Sequence, residues 1–156
     1  MKWLTILPLV FLSCCVPWWN VQETYDPTFP SIPTIPIYSV SGIGEWLIQN
    51  IQYATDTLHD STSDYWQSPE QTYDERLGDC EDYAILMMYL IHRNMGGWPD
   101  LIVGQDESGI HAWVSYKGVS YEAQGGDLID SSYDQLKVIA YGVAMWRSMN
   151  THRTIK

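Results

Sequence analysis

The sequence predicts one α+β domain, with helices first along the chain and an antiparallel sheet after them. Apolar residues in the stretches 42–59 and 80–95 recur with the 3.6-residue period of helices. Between positions 100 and 124 they alternate in the manner of strands. A chain of 156 residues, 46% of them hydrophobic, is long enough to bury one core. Helices and strands in separate blocks are typical of α+β domains.

Two helices are predicted before the sheet. The first covers residues 42–59, with Ser41 as its N-cap and apolar residues at helical spacing: Ile43, Trp46, Leu47, Ile51, Ala54 and Leu58. The polar stretch that follows is broken by Pro69 and predicts a loop with one short helical turn. The second helix runs from Cys80 to Met95 and ends at two glycines. Its apolar residues cover most of its circumference, which predicts a buried central helix.

Strands follow the central helix. Residues 100–106 predict one strand, and residues 110–124 predict a hairpin with Lys117-Gly118 at its tip. The pattern from 133 to 149 is weakly helical or mixed and stays unassigned.

The N-terminal segment predicts export and lipidation. Its apolar run, residues 3–12, is shorter than the about 20 residues that span a bilayer and has the size of a signal-peptide core. "FLSC" resembles the lipobox of bacterial lipoproteins, so residues 1–13 are expected to be the signal peptide and Cys14 the lipidated residue. A secreted N-terminus, in which Cys14 and Cys15 have no special role, is the alternative.

Prolines at every third position between 27 and 36 predict that residues 14–40 form a stiff tether between the lipid and a domain at 41–156. An ordered arm docked on the domain is the alternative, and a tether docked only at its far end combines the two. The protein is therefore expected in the cell envelope, held to a membrane by its lipid anchor.

Charge and cysteine content exclude several partners. A net charge of -11 without a basic stripe argues against nucleic acid and against electrostatic docking on anionic lipid. Three cysteines do not make an even disulfide framework, so the core must hold the domain together. Cys80 is the single thiol in the predicted domain.

Cys80 has the position of a nucleophile. Asp79 is a good N-cap and Asp82 completes a capping pattern, so the cysteine lies in the first helical turn. The helix dipole there favours thiolate, whereas the acidic neighbours raise the thiol pKa, so an imidazolium is needed nearby. His92 is about 18 Å along the same helix and cannot reach the sulfur, which leaves His111.

Strand alternation suggests what orients His111. If Lys117-Gly118 is a two-residue turn, Gln124 lies opposite His111 and Glu122 lies one diagonal step away on the same face. Either side chain could orient the imidazole. Glu122 is preferred, because a carboxylate also stabilises imidazolium.

"RLGDCEDYAILMMYLI", "GIHAWVSY" and "VSYEAQ" together resemble the transglutaminase-like superfamily, a branch of the papain-like cysteine enzymes, over residues 65–125. The resemblance implies a papain-like core, with Cys80 as nucleophile, His111 as general base and acid, and an acidic third member. The family usually has Asp at the third position, where this chain offers Glu122. Asp127 is the competing choice, and Gln124 would give a neutral version.

The resemblance implies acyl transfer on a protein or peptide substrate. Hydrolysis of a peptide or isopeptide bond is expected in preference to transamidation, with no cofactor and no metal. A zinc site from Cys80 and His111 lacks the usual ligand spacing. The alternative is a binding or assembly module that has kept the fold and lost the activity. Four aromatic residues would line a substrate groove or cap the core edge: Tyr65, Trp66, Tyr73 and Trp98.

Overall fold

The computed structural model describes residues 25–56, 65–106, 109–129 and 134–150. Within these ranges the chain forms α1 (Val40–Asn50), β1 (Gln52–Tyr53), α2 (Pro69–Glu75), β2 (Leu77–Gly78), α3 (Cys80–Met95), β3 (Asp100–Asp106), β4 (Gly109–Tyr116), β5 (Val119–Tyr121), β6 (Asp134–Ala140) and α4 (Tyr141–Asn150). The predicted α+β class is confirmed.

Helix α3 is the centre of the domain. It begins and ends where the sequence predicted, and residues 82–91 are buried on every side. Such burial requires packing partners on every side. Strands β3 and β4 of the sheet contact α3, and so do α1, α2 and α4.

The sheet is antiparallel, in the order β5-β4-β3-β6. Lys117 and Gly118 join β4 to β5 with positive φ angles of 53° and 78°, the geometry of the tight turns that hairpins prefer. The predicted strand at 100–106 and the hairpin tip are confirmed. The returning strand ends at Tyr121, however, so the ladder stops before Glu122 and Gln124 and the predicted pairing of Gln124 with His111 is wrong.

Helix α1 differs from its prediction at both ends. Ser39, and not Ser41, is the N-cap, and its hydroxyl accepts from the Gly42 N–H at 3.1 Å. The helix ends at Asn50 because residue 51 is already extended and leads into β1.

The early end of α1 follows from a long-range pairing. The backbone N–H groups of residues 52 and 54 donate to the carbonyls of Arg76 and Gly78, at 2.8 and 2.9 Å, so β1 and β2 pair in parallel. Ile51 and Ala54 belong to this extended segment, and their side chains are buried. The spacing of apolar residues alone cannot distinguish such a buried extended segment from a helix. Position 58, also counted in the helix prediction, lies outside the described residues.

Residues 25–39 form an arm docked on the domain. Phe29 and Ile32 are buried in the core, and the Phe29 N–H donates to the Tyr89 hydroxyl at 3.1 Å. The Asn94 amide donates to the carbonyls of residues 35 and 37, at 2.7 and 3.0 Å. This part of the proline-rich segment is therefore ordered on the domain. The signal peptide, Cys14 and the tether up to residue 24 lie outside the described residues.

The segment at 133–149, which the sequence left unassigned, contains the edge strand β6 followed directly by α4. Helix α4 buries its apolar face on the core through Tyr141, Ala144 and Met145. In the described part of the chain, no helix has both the length and the apolar character needed to cross a membrane.

Candidate active site

Cys80 occupies the first position of α3. The capping box predicted around it is formed by Asp79 and Asp82. The Asp82 carboxylate accepts from the N–H groups of Asp79 at 3.3 Å and Gln67 at 2.8 Å. These bonds fix where α3 begins, and therefore where the half-buried sulfur lies.

The thiol of Cys80 is held in its neutral form. Burial raises its pKa, and so does Glu81, to which the sulfur donates a hydrogen bond at 2.9 Å. Asp79 adds a smaller upward shift, and the Ala112 N–H lowers the pKa by donating to the sulfur. The expected gain from the helix N-terminus is therefore outweighed by burial and by an adjacent carboxylate.

His111 and Glu122 form a close pair. His111 Nε2 lies 2.7 Å from Glu122 Oε2, with the two side chains only 18% and 24% exposed. Burial alone would raise the pKa of Glu122, but the hydrogen bond from His111 and the N–H groups of residues 123 and 124 outweigh it, so the net shift is downward. Because an ionised carboxylate can only accept, Nε2 carries the hydrogen and Nδ1 is left as the basic nitrogen.

The loop after β5 brings Glu122 to His111. The Glu122 N–H donates to the Asp127 carbonyl at 2.8 Å, and the Gly126 N–H donates to the Glu122 carbonyl at 2.7 Å. The Gln124 N–H donates to Glu122 Oε1 at 3.0 Å. Gln124 and Asp127, the two alternatives for the third member, therefore stabilise this loop through backbone hydrogen bonds. The Asp127 side chain is exposed.

The structure brings the three residues singled out by the sequence to one end of the domain. The sulfur of Cys80 accepts from the N–H of Ala112, which directly follows His111 on β4. His111 in turn contacts Glu122. His92 is at the opposite end of α3, where its ring nitrogens lie 2.6 Å from the Gly97 carbonyl and 3.3 Å from Asp26.

The four aromatic residues do not form one groove. Tyr65 and Trp66 are buried in the core, and Tyr73 stacks on Trp46 with the Arg76 guanidinium 4.1 Å from the Tyr73 ring centre. Trp98 is 58% exposed and packs on His92, away from Cys80. Trp113 is buried, with its ring centre 6.3 Å from that of His111.

Acidic side chains crowd the base of the site. Among the described residues, ligand atoms lie within 4.8 Å of one another in the group Asp79, Cys80 and Glu81 and in the group Asp56, Asp79 and Asp82. Burial, followed by the charge of Asp79, raises the pKa of Asp82 to about 8. Asp79 and Asp82 were predicted as caps, and the crowding of these buried carboxyl groups was not foreseen from the sequence.

Comparison with known proteins identifies the class of domain. A family model described as "Transglutaminase-like domain" matches residues 35–117. The match covers more than half of the chain and includes the start of α3 and strand β4. The chain belongs to this family, as its motifs predicted. No curated protein matches the sequence.

Solved structures with a similar fold include LapG from Legionella pneumophila. One LapG structure aligns with a TM-score of 0.53 at 14% identity, covering 73% of this chain and 76% of that chain. The structure of calcium-bound LapG aligns with a TM-score of 0.53 at 16% identity, covering 64% of this chain and 62% of that chain. EGTA-treated LapG gives 0.52 at 15% identity, and the alignment spans about three fifths of that chain, 61%. At these identities the likeness establishes the fold and confirms the papain-like, transglutaminase-like core.

Two features of the site were missed from the sequence. Glu81 was grouped with its acidic neighbours, although its side chain is the one that folds back onto the sulfur. Its position next to the cysteine was a signal for this contact. The close approach of Gly44 to the loop that carries Glu122 joins residues 82 positions apart, and no local pattern marks it.

Proposed function

We propose that the protein transfers acyl groups from amide bonds through Cys80, with hydrolysis of a peptide or isopeptide bond as the main outcome. The observation that carries the proposal is the His111–Glu122 pair at 2.7 Å, next to the backbone N–H that contacts the Cys80 sulfur. A histidine oriented by a carboxylate beside a thiol at a helix start is the arrangement that activates a cysteine.

The reaction proceeds in two steps. His111 Nδ1 accepts the thiol proton, the sulfur attacks the amide carbonyl, and the C–N bond breaks as His111 returns the proton to the leaving amine. Water then attacks the thioester, releases the acid and restores the thiol. The backbone N–H of Cys80, at the start of α3, stabilises the oxyanion in both steps. Glu122 keeps the hydrogen on Nε2 and stabilises the imidazolium.

Activation requires that Glu81 release the sulfur. The hydrogen bond at 2.9 Å favours the thiol over the thiolate, so the described geometry is a resting state. Rotation of the half-buried Glu81 side chain into another rotamer would break the bond without moving the backbone. Binding of a substrate over the sulfur is a direct way to cause that rotation.

An acyl donor that needs no specific recognition tests the chemistry. Incubation with p-nitrophenyl acetate should give a thioester on Cys80, detected by peptide mass spectrometry, and the His111→Ala variant should give far less. Acetylation of Cys80 at the rate of the urea-denatured chain, unchanged in His111→Ala, would contradict the proposal.

A binding or assembly module without activity is the second candidate. The observation in its favour is the raised pKa of the Cys80 thiol beside Glu81, which opposes nucleophilic attack. The same acetylation experiment separates the two, because a module without activity leaves Cys80 no more reactive than a buried thiol.

We also propose that the carboxylates below the site bind calcium. One LapG structure is described as calcium-bound, and the group Asp56, Asp79 and Asp82 offers the oxygen ligands that this ion prefers. Burial is the main cause of the raised pKa of Asp82, and the nearby charge of Asp79 adds to it, so these carboxyl groups lie close together and away from water. A bound cation would supply compensating charge at the start of α3, although no metal was expected from the sequence.

Thermal unfolding in calcium and in EGTA tests this second proposal without reference to activity. Calcium at 100 times its dissociation constant should stabilise the fold by about 2.7 kcal/mol and raise Tm by several degrees. The Asp56→Asn variant should lose most of this rise, whereas Asp134→Asn, on the exposed strand β6, should keep it. Equal Tm values in calcium and EGTA would contradict the site.

We propose that the protein is exported and anchored through lipid on Cys14, as the N-terminal motif predicts. Support comes from the docked arm, which would hold the domain close to the membrane end of the chain. Labelling with a palmitate analogue in a bacterial host should mark the wild type and not Cys14→Ser. Labelling that is retained in Cys14→Ser and lost in Cys15→Ser would show that Cys15 carries the lipid. Absence of labelling in the wild type would contradict the lipid anchor.

A further inference from the structure

Helix α1 touches the loop that carries Glu122 without intervening side chains. A Cβ added at Gly44 would lie within 3.0 Å of backbone atoms of Gly125 and Gly126, closer than real Cβ atoms approach. From the other side, a Cβ on Gly126 would lie 2.8 Å from the Ser41 carbonyl oxygen and 2.9 Å from that of Val40. Both glycines are buried, so α1 and the loop are in direct backbone contact.

The loop that α1 touches is tightly closed around Glu122. Two backbone hydrogen bonds close it: the Gly126 N–H donates to the Glu122 carbonyl, and the Glu122 N–H donates to the Asp127 carbonyl. The carboxylate is held in addition by the N–H of Gln124. Because the loop is short and internally bonded, a push on Gly126 moves Glu122 with it.

We propose that Gly44 is a positioning residue: the first half of α1, packed on Gly125 and Gly126, sets the Glu122 carboxylate against Nε2 of His111. This rests on the proposed function for its catalytic meaning, since the pair serves acyl transfer only if Cys80 is the nucleophile. Gly44 would act through the loop, and not by contact with the reacting atoms.

The geometry gives the expected size of the effect. An alanine at 44 forces either α1 or the loop to move by about 1 Å before the added methyl group fits, because interiors are close-packed. The atoms that must move are backbone atoms and cannot rotate away. A misplacement of about 1 Å in a catalytic arrangement costs on the order of 100-fold in rate.

The matched control lies in the same helix. A Cβ at Gly42 would meet only side-chain atoms, the Ser39 hydroxyl at 2.7 Å and Ile37 at 2.8 Å, and no atom of the loop lies within 4 Å of it. Gly42→Ala and Gly44→Ala both replace a glycine of α1 with a better helix former, but only Gly44→Ala places the new methyl group against the backbone of the loop. A difference between them therefore reports the contact with the loop.

The direct readout is the proton on His111 Nε2, observed by NMR as a hydrogen-bonded ring N–H. The wild type and Gly42→Ala should show the resonance, while Glu122→Gln and Gly44→Ala should shift or lose it. Acetylation of Cys80 by p-nitrophenyl acetate should fall about 100-fold in Gly44→Ala. The double variant Gly44→Ala/Glu122→Gln should be no slower than Glu122→Gln, because one interaction is lost in both.

The outcomes separate this inference from the proposed function. If Gly44→Ala keeps the ring N–H resonance of the wild type unchanged, the positioning role is wrong. It is also wrong if the loss of acetylation rate in the double variant equals the two single losses combined. An unreactive Cys80 in a wild type that shows the resonance overturns the proposed function, while the resonance in Gly44→Ala still decides the role of Gly44.

A measurement on the wild type covers the case in which Gly44→Ala does not fold. If α1 clamps the loop, the N–H groups of Glu122 and Gly126 should exchange with deuterium in the same opening event as the amides of α1. Exchange of the loop amides at a lower opening free energy than α1 would overturn the proposal.

Discussion

Removal of the charge on Glu81 should make Cys80 more reactive. The sulfur donates to the Glu81 carboxylate at 2.9 Å, so a thiolate would lie beside a full negative charge. Even with the dielectric constant of water, two unit charges at this separation repel by about 1.4 kcal/mol, and burial increases the figure. One pKa unit corresponds to about 1.36 kcal/mol, so Glu81→Gln should give at least about tenfold more thiolate at pH 7.

Alkylation by iodoacetamide measures this directly. The full chain is treated in EGTA between pH 6 and 10, and the Cys80 peptide is quantified by mass spectrometry, which separates it from Cys14 and Cys15. Glu45→Gln, at an exposed position on α1, controls for the change in net charge. An alkylation rate at pH 7 that is the same in Glu81→Gln and the wild type would show that Glu81 does not hold the thiol.

Three further predictions concern the arm, the buried carboxyl and the histidine partner. Phe29→Ala should lower the free energy of unfolding by about 3–5 kcal/mol, because Phe29 is buried against Tyr89. Urea titrations measure this change, and a loss of under about 1 kcal/mol would mean that the arm is not part of the core. Burial raises the pKa of Asp82 to about 8, whereas the unfolded chain has a value of about 3.9. Between these two pH values the folded state binds one more proton than the unfolded state. The free energy of unfolding, measured in EGTA, should therefore fall as pH rises from about 4 to 8. Asp82→Asn should flatten that fall, and an equally steep fall in both proteins would refute the assignment. Glu122→Gln should slow acetylation of Cys80 by about 100-fold or more, while Asp127→Asn leaves it nearly unchanged. The reverse order would make Asp127 the third member.

Elements fixed by local signals were predictable from the sequence. Helix α3 is bounded by an aspartate cap and two glycines, and the hairpin by Lys117-Gly118, so each boundary is encoded within a few residues. The end of α1 is not encoded in this way. It depends on pairing between β1 and β2, 25 positions apart, and a continuing apolar pattern hides it.

The candidate site was predictable as residues but not as an electrostatic environment. Spacing indicated Cys80, His111 and Glu122, because helix starts and strand alternation follow from sequence. The approach of Glu81 to the sulfur depends on a side-chain rotamer. The reach of Glu122 from beyond the end of β5 depends on a loop folded against α1, which is a tertiary contact.

The central claim is that His111 activates Cys80 for acyl transfer, and burst kinetics with p-nitrophenyl acetate test it most directly. If His111 activates Cys80, the wild type should release a burst of nitrophenolate equal to one acyl group for each Cys80, followed by slower turnover. The burst rate should fall by about 100-fold or more in His111→Ala. No burst in the wild type, or a burst of the same rate in His111→Ala, would contradict the account.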